Sequence, residues 1–206
     1  WTLDANKGEL TRFEFVSDRD SLLRAEAISF DKDSILRALD FVAFNDTTFL
    51  IPDYSGDSRF CWVNRQGKFL KKSGVIPSLN EEALKEARPA LAQAWRSFID
   101  YNPHNGVLIA ATQLGEVLEI YNLQNGSHKV CQGPKGEPEF KLAGGYAIPD
   151  GIMGFSDVQV TDDAIYAIFH GRTFKEIMAQ HQKEGRATDG GQYIYVFNLE
   201  GEPLCK

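Results

Sequence analysis

Glycine at hairpin turns recurs along this chain in one register. It stands in Ala5-Asn6-Lys7-Gly8, Asn64-Arg65-Gln66-Gly67, Gln124-Asn125-Gly126 and Leu199-Glu200-Gly201, the first three about 60 residues apart. Tight hairpin turns often need the positive φ that glycine adopts freely. A second marker keeps nearly the same step: an aspartate near the start of a strand-like run, in Leu39-Asp40-Phe41, Ile99-Asp100-Tyr101 and Ser156-Asp157-Val158. A third is a polar turn, Asn45-Asp46-Thr47, Pro103-His104-Asn105-Gly106 and Thr161-Asp162-Asp163. Three markers in one register restrict the chain to a repeat architecture, in which each unit buries its apolar face against the next.

The clearest unit is the last. Phe155–Thr161 and Ala164–His170 read as two strands, Gln192–Asn198 as a third, and Leu199–Glu202 as a hairpin into a short fourth. Ile165, Ala167 and Phe169 alternate along one strand, and Tyr193, Tyr195 and Phe197 along another, the period of antiparallel β structure. Four short strands per repeat of this length define an all-β fold, a β-propeller of four-stranded antiparallel blades. The blades fall at about 35–73, 98–132 and 155–206, and residues 1–16 read as the last two strands of an earlier one. Residues 17–34 read as a connection, with Ser29-Phe30-Asp31 as a turn. Propellers close with roughly four to eight blades. The expectation is therefore part of a larger propeller, about three and a half blades, completed by further chain or by like chains.

Three inserts interrupt the blades, at 74–97, 133–153 and 171–191. Blade-to-blade connections and second-to-third-strand loops share one face of a propeller, so all three decorate one rim, where binding residues usually lie. Two look helical. Leu84, Ala87, Leu91, Ala94 and Trp95 form one stripe, which Pro89 should kink or split. Thr173 and Glu176 form a capping box, Phe174, Ile177, Met178 and His181 line one face, and Gly185 stops the helix.

Composition excludes some classes. With 22 Lys and Arg against 29 Asp and Glu the net charge is −7, and the sole basic doublet is Lys71-Lys72, so nucleic acid is not the expected partner. No apolar run is long enough for a transmembrane segment. The chain begins at Trp1 with no visible secretory leader. Cys61, Cys131 and Cys205 sit in strand patterns and read as buried free thiols, with one disulfide and a leftover thiol as the other reading.

Asp40, Asp100 and Asp157 are the first site candidate. Carboxylates converging at a channel mouth hold Ca²⁺ or a cationic ligand, and the competing reading has each accept backbone N–H bonds at its strand entry. His170 and Arg172, beside the third insert, have the chemistry to grip an anion. Tyr54, Arg59 and Trp62 flank the equivalent loop of the first full blade and suit stacking on a sugar or peptide. His104, His128 and His181 lack metal-ligand spacing, and nucleophile-elbow, zincin and phosphate-loop motifs are missing. Asn45-Asp46-Thr47 and Asn125-Gly126-Ser127 match glycosylation sequons but read as turns.

The run Phe155 to Arg172, with Tyr193 to Gly201, resembles the TolB-like six-bladed β-propeller family. The likeness is best over 35–206, and Gly133-Pro134 through Glu139-Phe140 is similar to a degenerate glycine-proline-acid-phenylalanine blade signature. Resemblance to that family implies a propeller fold and a periplasmic or cell-surface location in Gram-negative bacteria, lipid-anchored in some members, and no assigned activity. Two readings follow. One is a non-catalytic binding or scaffold module without a cofactor, its protein, peptide or glycan ligand held on the insert-bearing face. The other is a lactonase-like hydrolase or lyase with Ca²⁺ at the channel mouth.

Overall fold

The computed structural model describes residues 1–17, 20–35, 37–56, 58–185 and 190–206. They form two compact units, Trp1–Val75 and Ile76–Lys206. The first carries β1 (Thr2–Asp4), β2 (Glu9–Val16) and β3 (Ser21–Ser29) in one sheet. A four-stranded sheet follows, of β4 (Val42–Asn45), β5 (Thr48–Pro52), β6 (Phe60–Asn64) and β7 (Phe69–Ser73). Leu10, Ile28, Phe30, Ile35, Ala38, Phe49, Ile51 and Val63 make its core.

Strand β3 corrects the reading of 17–34 as a connection. It pairs with β2 from Glu9↔Ser29 to Val16↔Ser21, yet Ile28 is its one buried side chain. A strand held mainly by ladder bonds and surface ion pairs, such as Arg24–Glu9 at 2.8 Å, carries little hydrophobic period to read.

The second unit opens with helices α1 (Glu81–Glu86) and α2 (Arg88–Ala94), split at Ala87 with Pro89 in the first turn of α2. Proline lacks the N–H a helix interior needs, so it is tolerated only there. Then come β8 (Ser97–Asn102), β9 (Val107–Thr112), β10 (Val117–Asn122) and β11 (Ser127–Gln132), and a hairpin of β12 (Phe140–Ala143) and β13 (Tyr146–Pro149). The last sheet is β14 (Phe155–Val160), β15 (Ile165–Phe169), β16 (Tyr193–Phe197) and β17 (Pro203–Cys205), with helix α3 (Phe174–Glu184) between its second and third strands.

Each four-stranded sheet is antiparallel in strict chain order, the blade pattern of an all-β propeller. The hairpin glycines Gly8, Gly67, Gly126 and Gly201 have φ of +65°, +76°, +76° and +78°, the left-handed region their turns require. Between the two blades of the second unit lie Val107, Ile109, Leu118, Ile120, Phe155, Val158, Ile165 and Phe169. All three cysteines are free thiols. Cys61 is buried as expected, but Cys131 is half-buried and Cys205 exposed, because β11 and β17 are outermost strands of their blades. At both sequons the Asn side chain accepts the amide two residues on, Thr47 N–H at 2.9 Å and Ser127 N–H at 2.8 Å, so both are Asx turns.

Candidate functional site

The three inserts of the second unit are physically joined. Glu137, in the second insert, accepts bonds from Ser78 Oγ (2.7 Å) and Leu79 N–H (2.8 Å) just before α1. Gln93 Oε1 of α2 accepts the Ala147 amide of β13 at 3.3 Å. Trp95 and Leu91 from the first insert share a core with Leu114 and Val117 of the blade, with Phe140, Ala147 and Met153 packed against it. The third insert is tied on by backbone bonds, Met153 N–H to Arg172 O (2.8 Å) and Gly171 N–H to Met153 O (2.9 Å), and by the Ile152↔Thr173 bridge.

Such a platform is rigid at its base and apolar at its surface. Leu79, Leu142, Tyr146, Ile148, Phe174 and Met178 are all exposed. Where β13 meets α3, Pro149, Phe174, Met178 and Ala179 line a hollow of about 630 Å³ with Lys175, Asp150 and Gln182. Helix α3 is fixed at both ends. Thr173 Oγ1 accepts the Glu176 amide, Glu176 Oε2 accepts the Thr173 amide at 2.8 Å, and Gly185 closes it at φ +65°. The Thr173 amide and hydroxyl hold the Glu176 carboxyl below its ordinary pKa.

Of the residues singled out in the sequence, Asp40, Tyr54, Arg59 and Trp62 lie in the first unit and Asp100, Asp157, His170 and Arg172 in the second. Each aspartate accepts a backbone amide. Asp40 Oδ1 takes Phe41 N–H at 2.8 Å and Asp157 Oδ1 takes Val158 N–H at 2.9 Å, both local bonds. Asp100 Oδ2 instead takes Val160 N–H at 2.7 Å, from the first strand of the next blade. Among the described residues no group of three or more His, Cys, Asp or Glu is gathered as a metal needs.

That difference makes a prediction. Asp100→Ala leaves an amide between blades without its acceptor and should cost about 1–2 kcal/mol, whereas Asp157→Ala at an exposed position should cost less than about 0.5 kcal/mol. Denaturant midpoints of the two variants check it. Equal losses would remove the strut role from Asp100.

His170 is buried, and its Nδ1 faces the Arg172 amide at 3.4 Å. The Arg172 guanidinium bonds through Nη1 to Gln180 Oε1 on α3. The imidazole is thus turned into the fold, while the guanidinium lies along the third insert. Tyr54 and Arg59 are buried, at 7% and 1% exposure. Trp62 is half-buried: its Nε1 donates to Ser73 Oγ at 2.7 Å, and Lys71 Nζ stands 4.7 Å over its ring.

Sequence reasoning missed Leu142, Tyr146 and Ile148, because the second insert was given no element. A signal was present. Leu142-Ala143-Gly144-Gly145-Tyr146-Ala147-Ile148 is a Gly-Gly pair between apolar residues, and those glycines sit at φ +60° and +83°.

One solved structure with a similar chain path is that of a functionally unknown protein from Desulfotomaculum acetoxidans DSM 771, with 10% identity and a TM-score of 0.46. The match covers 96% of this chain and 50% of that one, so this chain spans about half its length. No curated protein matches the chain. The described residues form three four-stranded sheets and one three-stranded sheet, each strand bonded to its neighbours in sequence, plus the insert hairpin. A family model described as TolB-like 6-blade propeller-like matches residues 1–206, and the chain belongs to that family.

Proposed function

We propose that this chain is a non-catalytic binding module whose partner, a protein or peptide, docks on the joined inserts of the second unit. One observation carries the reading. Of three inserts far apart in sequence, the first two share a core and hydrogen bonds, the third is tied to the second by backbone bonds, and together they leave six large apolar side chains exposed. Apolar side chains grouped on a rigid support mark a contact surface rather than ordinary exposure. Glycans remain an outcome of the same test. Trp95, near the end of the first insert, is at 0% exposure, so the surface needs little ordering when a partner arrives.

We place this activity in the bacterial envelope, on the strength of the family resemblance. No helix among the described residues is long and apolar enough to cross a membrane. Calcium-dependent hydrolysis is less well supported, since Asp100 and Asp157 already serve backbone amides.

A benzophenone side chain at position 146 or 174 should crosslink to one species in cells, and one at the exposed turn residue Gln124 should not. Ile148→Ser should weaken the adducts. Equal crosslinking from position 124, or none from 146 and 174, would sink the proposal. A melting temperature several degrees higher in Ca²⁺ than in EDTA would favour the hydrolase reading instead.

A further inference from the structure

A cavity of about 550 Å³ opens between the outer strands of sheets β8–β11 and β14–β17. Small-molecule sites run from roughly 300 to 1,000 Å³. Leu118 of β10, Phe155 of β14, and Tyr195 and Phe197 of β16 form its apolar walls. They are supported from behind. Leu118 and Phe155 belong to the core between the blades, and Tyr195 and Phe197 pack against it. Tyr195 stacks on Phe169 at 4.9 Å and meets the edge of Phe197 at 6.1 Å, so the aromatic wall is formed before any ligand arrives. Cys131 stands on the β11 side of the cavity and Cys205 on the β17 side.

Charge enters this lining at two points. Glu116 is 8% exposed, and its Oε2 accepts the Lys135 amide at 3.0 Å, so its carboxylate is engaged by the loop after β11. Lys206 is the cation. Its Nζ stands 3.7 Å from the Tyr193 ring centre and 5.3 Å from that of Tyr195, with no carboxylate partner among the described residues. The cavity therefore offers an aromatic wall, a preformed volume and one unpaired positive charge at its rim.

We propose that this cavity binds a small molecule with an aromatic or alicyclic body and one anionic group. The body lies against Leu118, Phe155, Tyr195 and Phe197, and the anion meets Lys206. Among the described residues, Gly133 and Pro134 are the only insert residues that line it, so it is tested separately from the docking surface.

The probe 1-anilinonaphthalene-8-sulfonate has this chemistry, and the two cysteines report its position. On the 206-residue chain its fluorescence should saturate. At ten times its Kd, alkylation of Cys131 and Cys205 by iodoacetamide should slow about tenfold, since only unoccupied protein reacts. Mildly alkaline buffer is needed because burial pushes the Cys131 thiol above its ordinary pKa. Cys61, at 1% exposure, is the unreactive control. Lys206→Glu should weaken the sulfonate about fivefold and leave the uncharged N-phenyl-1-naphthylamine unchanged. Saturable binding that protects neither thiol, or no saturable binding, overturns the proposal. Equal sulfonate affinity for wild type and K206E overturns the placing of the anion.

Discussion

Trp95→Ala should remove about 3–5 kcal/mol of stability, read as a lower denaturation midpoint of the Ile76–Lys206 unit. Trp95 is the largest fully buried side chain among the described residues, at 0% exposure. Its cluster draws on Ile76, Ala83, Leu91, Ala92 and Ala94 within the first insert and on Leu114 and Val117 of the blade, with Phe140 and Ala147 of the hairpin packed on it. Truncation leaves a void that none of these backbones can close alone. Hydrogen exchange should locate the loss, with α2, β12 and β13 opening faster while β9 and β10 stay protected. Among the described residues the indole N–H has no hydrogen-bond partner. Trp95→Phe keeps most of the volume and discards that unsatisfied donor, so it should cost only about 1 kcal/mol. If the Phe variant fell as far as the Ala variant, filling volume would not be what Trp95 contributes. If the Ala variant lost under about 1 kcal/mol, the inserts would not depend on this core.

The same side chain shows what could be read in advance. Leu91, Ala94 and Trp95 were legible as one helical stripe because burial on one side of a helix imposes its period on the sequence. The alternation of Ile165, Ala167 and Phe169 was legible for the same reason, with all three facing the core between the blades. Strand β3 was not, since six of its nine residues are exposed and its registry comes from pairing with β2. Helix α3 was legible from its cap, its stripe and its closing glycine, but not its burial. Phe174 and Met178 share a stripe with Ile177, yet Ile177 is its one buried residue. A stripe says which residues face one way and not whether anything covers them.

The repeated aspartates show a deeper limit. Sequence placed Asp100 and Asp157 at equivalent positions, and nothing local distinguishes them. The distinction lies in Val160, sixty residues from Asp100, whose amide reaches back to the preceding blade. Asp162 acts in a similar way just beyond Val160, at the same end of these strands. It accepts Asn102 Nδ2 at 2.8 Å and lies 3.1 Å from His104 Nδ1, and these two partners hold its carboxyl below the ordinary range. Contacts between blades recur with the repeat period, so a periodic marker signals structural pairing as readily as a shared ligand. Side chains of a docking surface have no such constraint, and Leu142 and Tyr146 stand in a hairpin without a counterpart among the described residues.

Gly154→Ala should cost about 3 kcal/mol, the upper end of overpacking penalties. A Cβ there would sit 2.3 Å from Gly115 O and 2.6 Å from Thr112 O, both backbone atoms that no rotamer change can move aside. The surrounding bonds fix them further. Gly154 N–H donates to Gln113 O at 2.8 Å, Gly154 O accepts His170 N–H at 2.8 Å, and Gly115 N–H donates to Ile152 O at 3.1 Å. Three chain segments meet at this seam, and it anchors both the second and the third insert. Gly190→Ala is the control: none of the described residues lies within 4 Å of its Cβ, so the change should be neutral or stabilising by about 0.4–1 kcal/mol through the unfolded chain. Because the cost at Gly154 comes from contact, Gly154→Ser should be no better than Ala. Midpoints for G154A and G190A that agree within error would show that the seam relaxes by shifting its backbone. In that case the insert-bearing surface is not rigidly seated on the blades, and a partner must order it on binding.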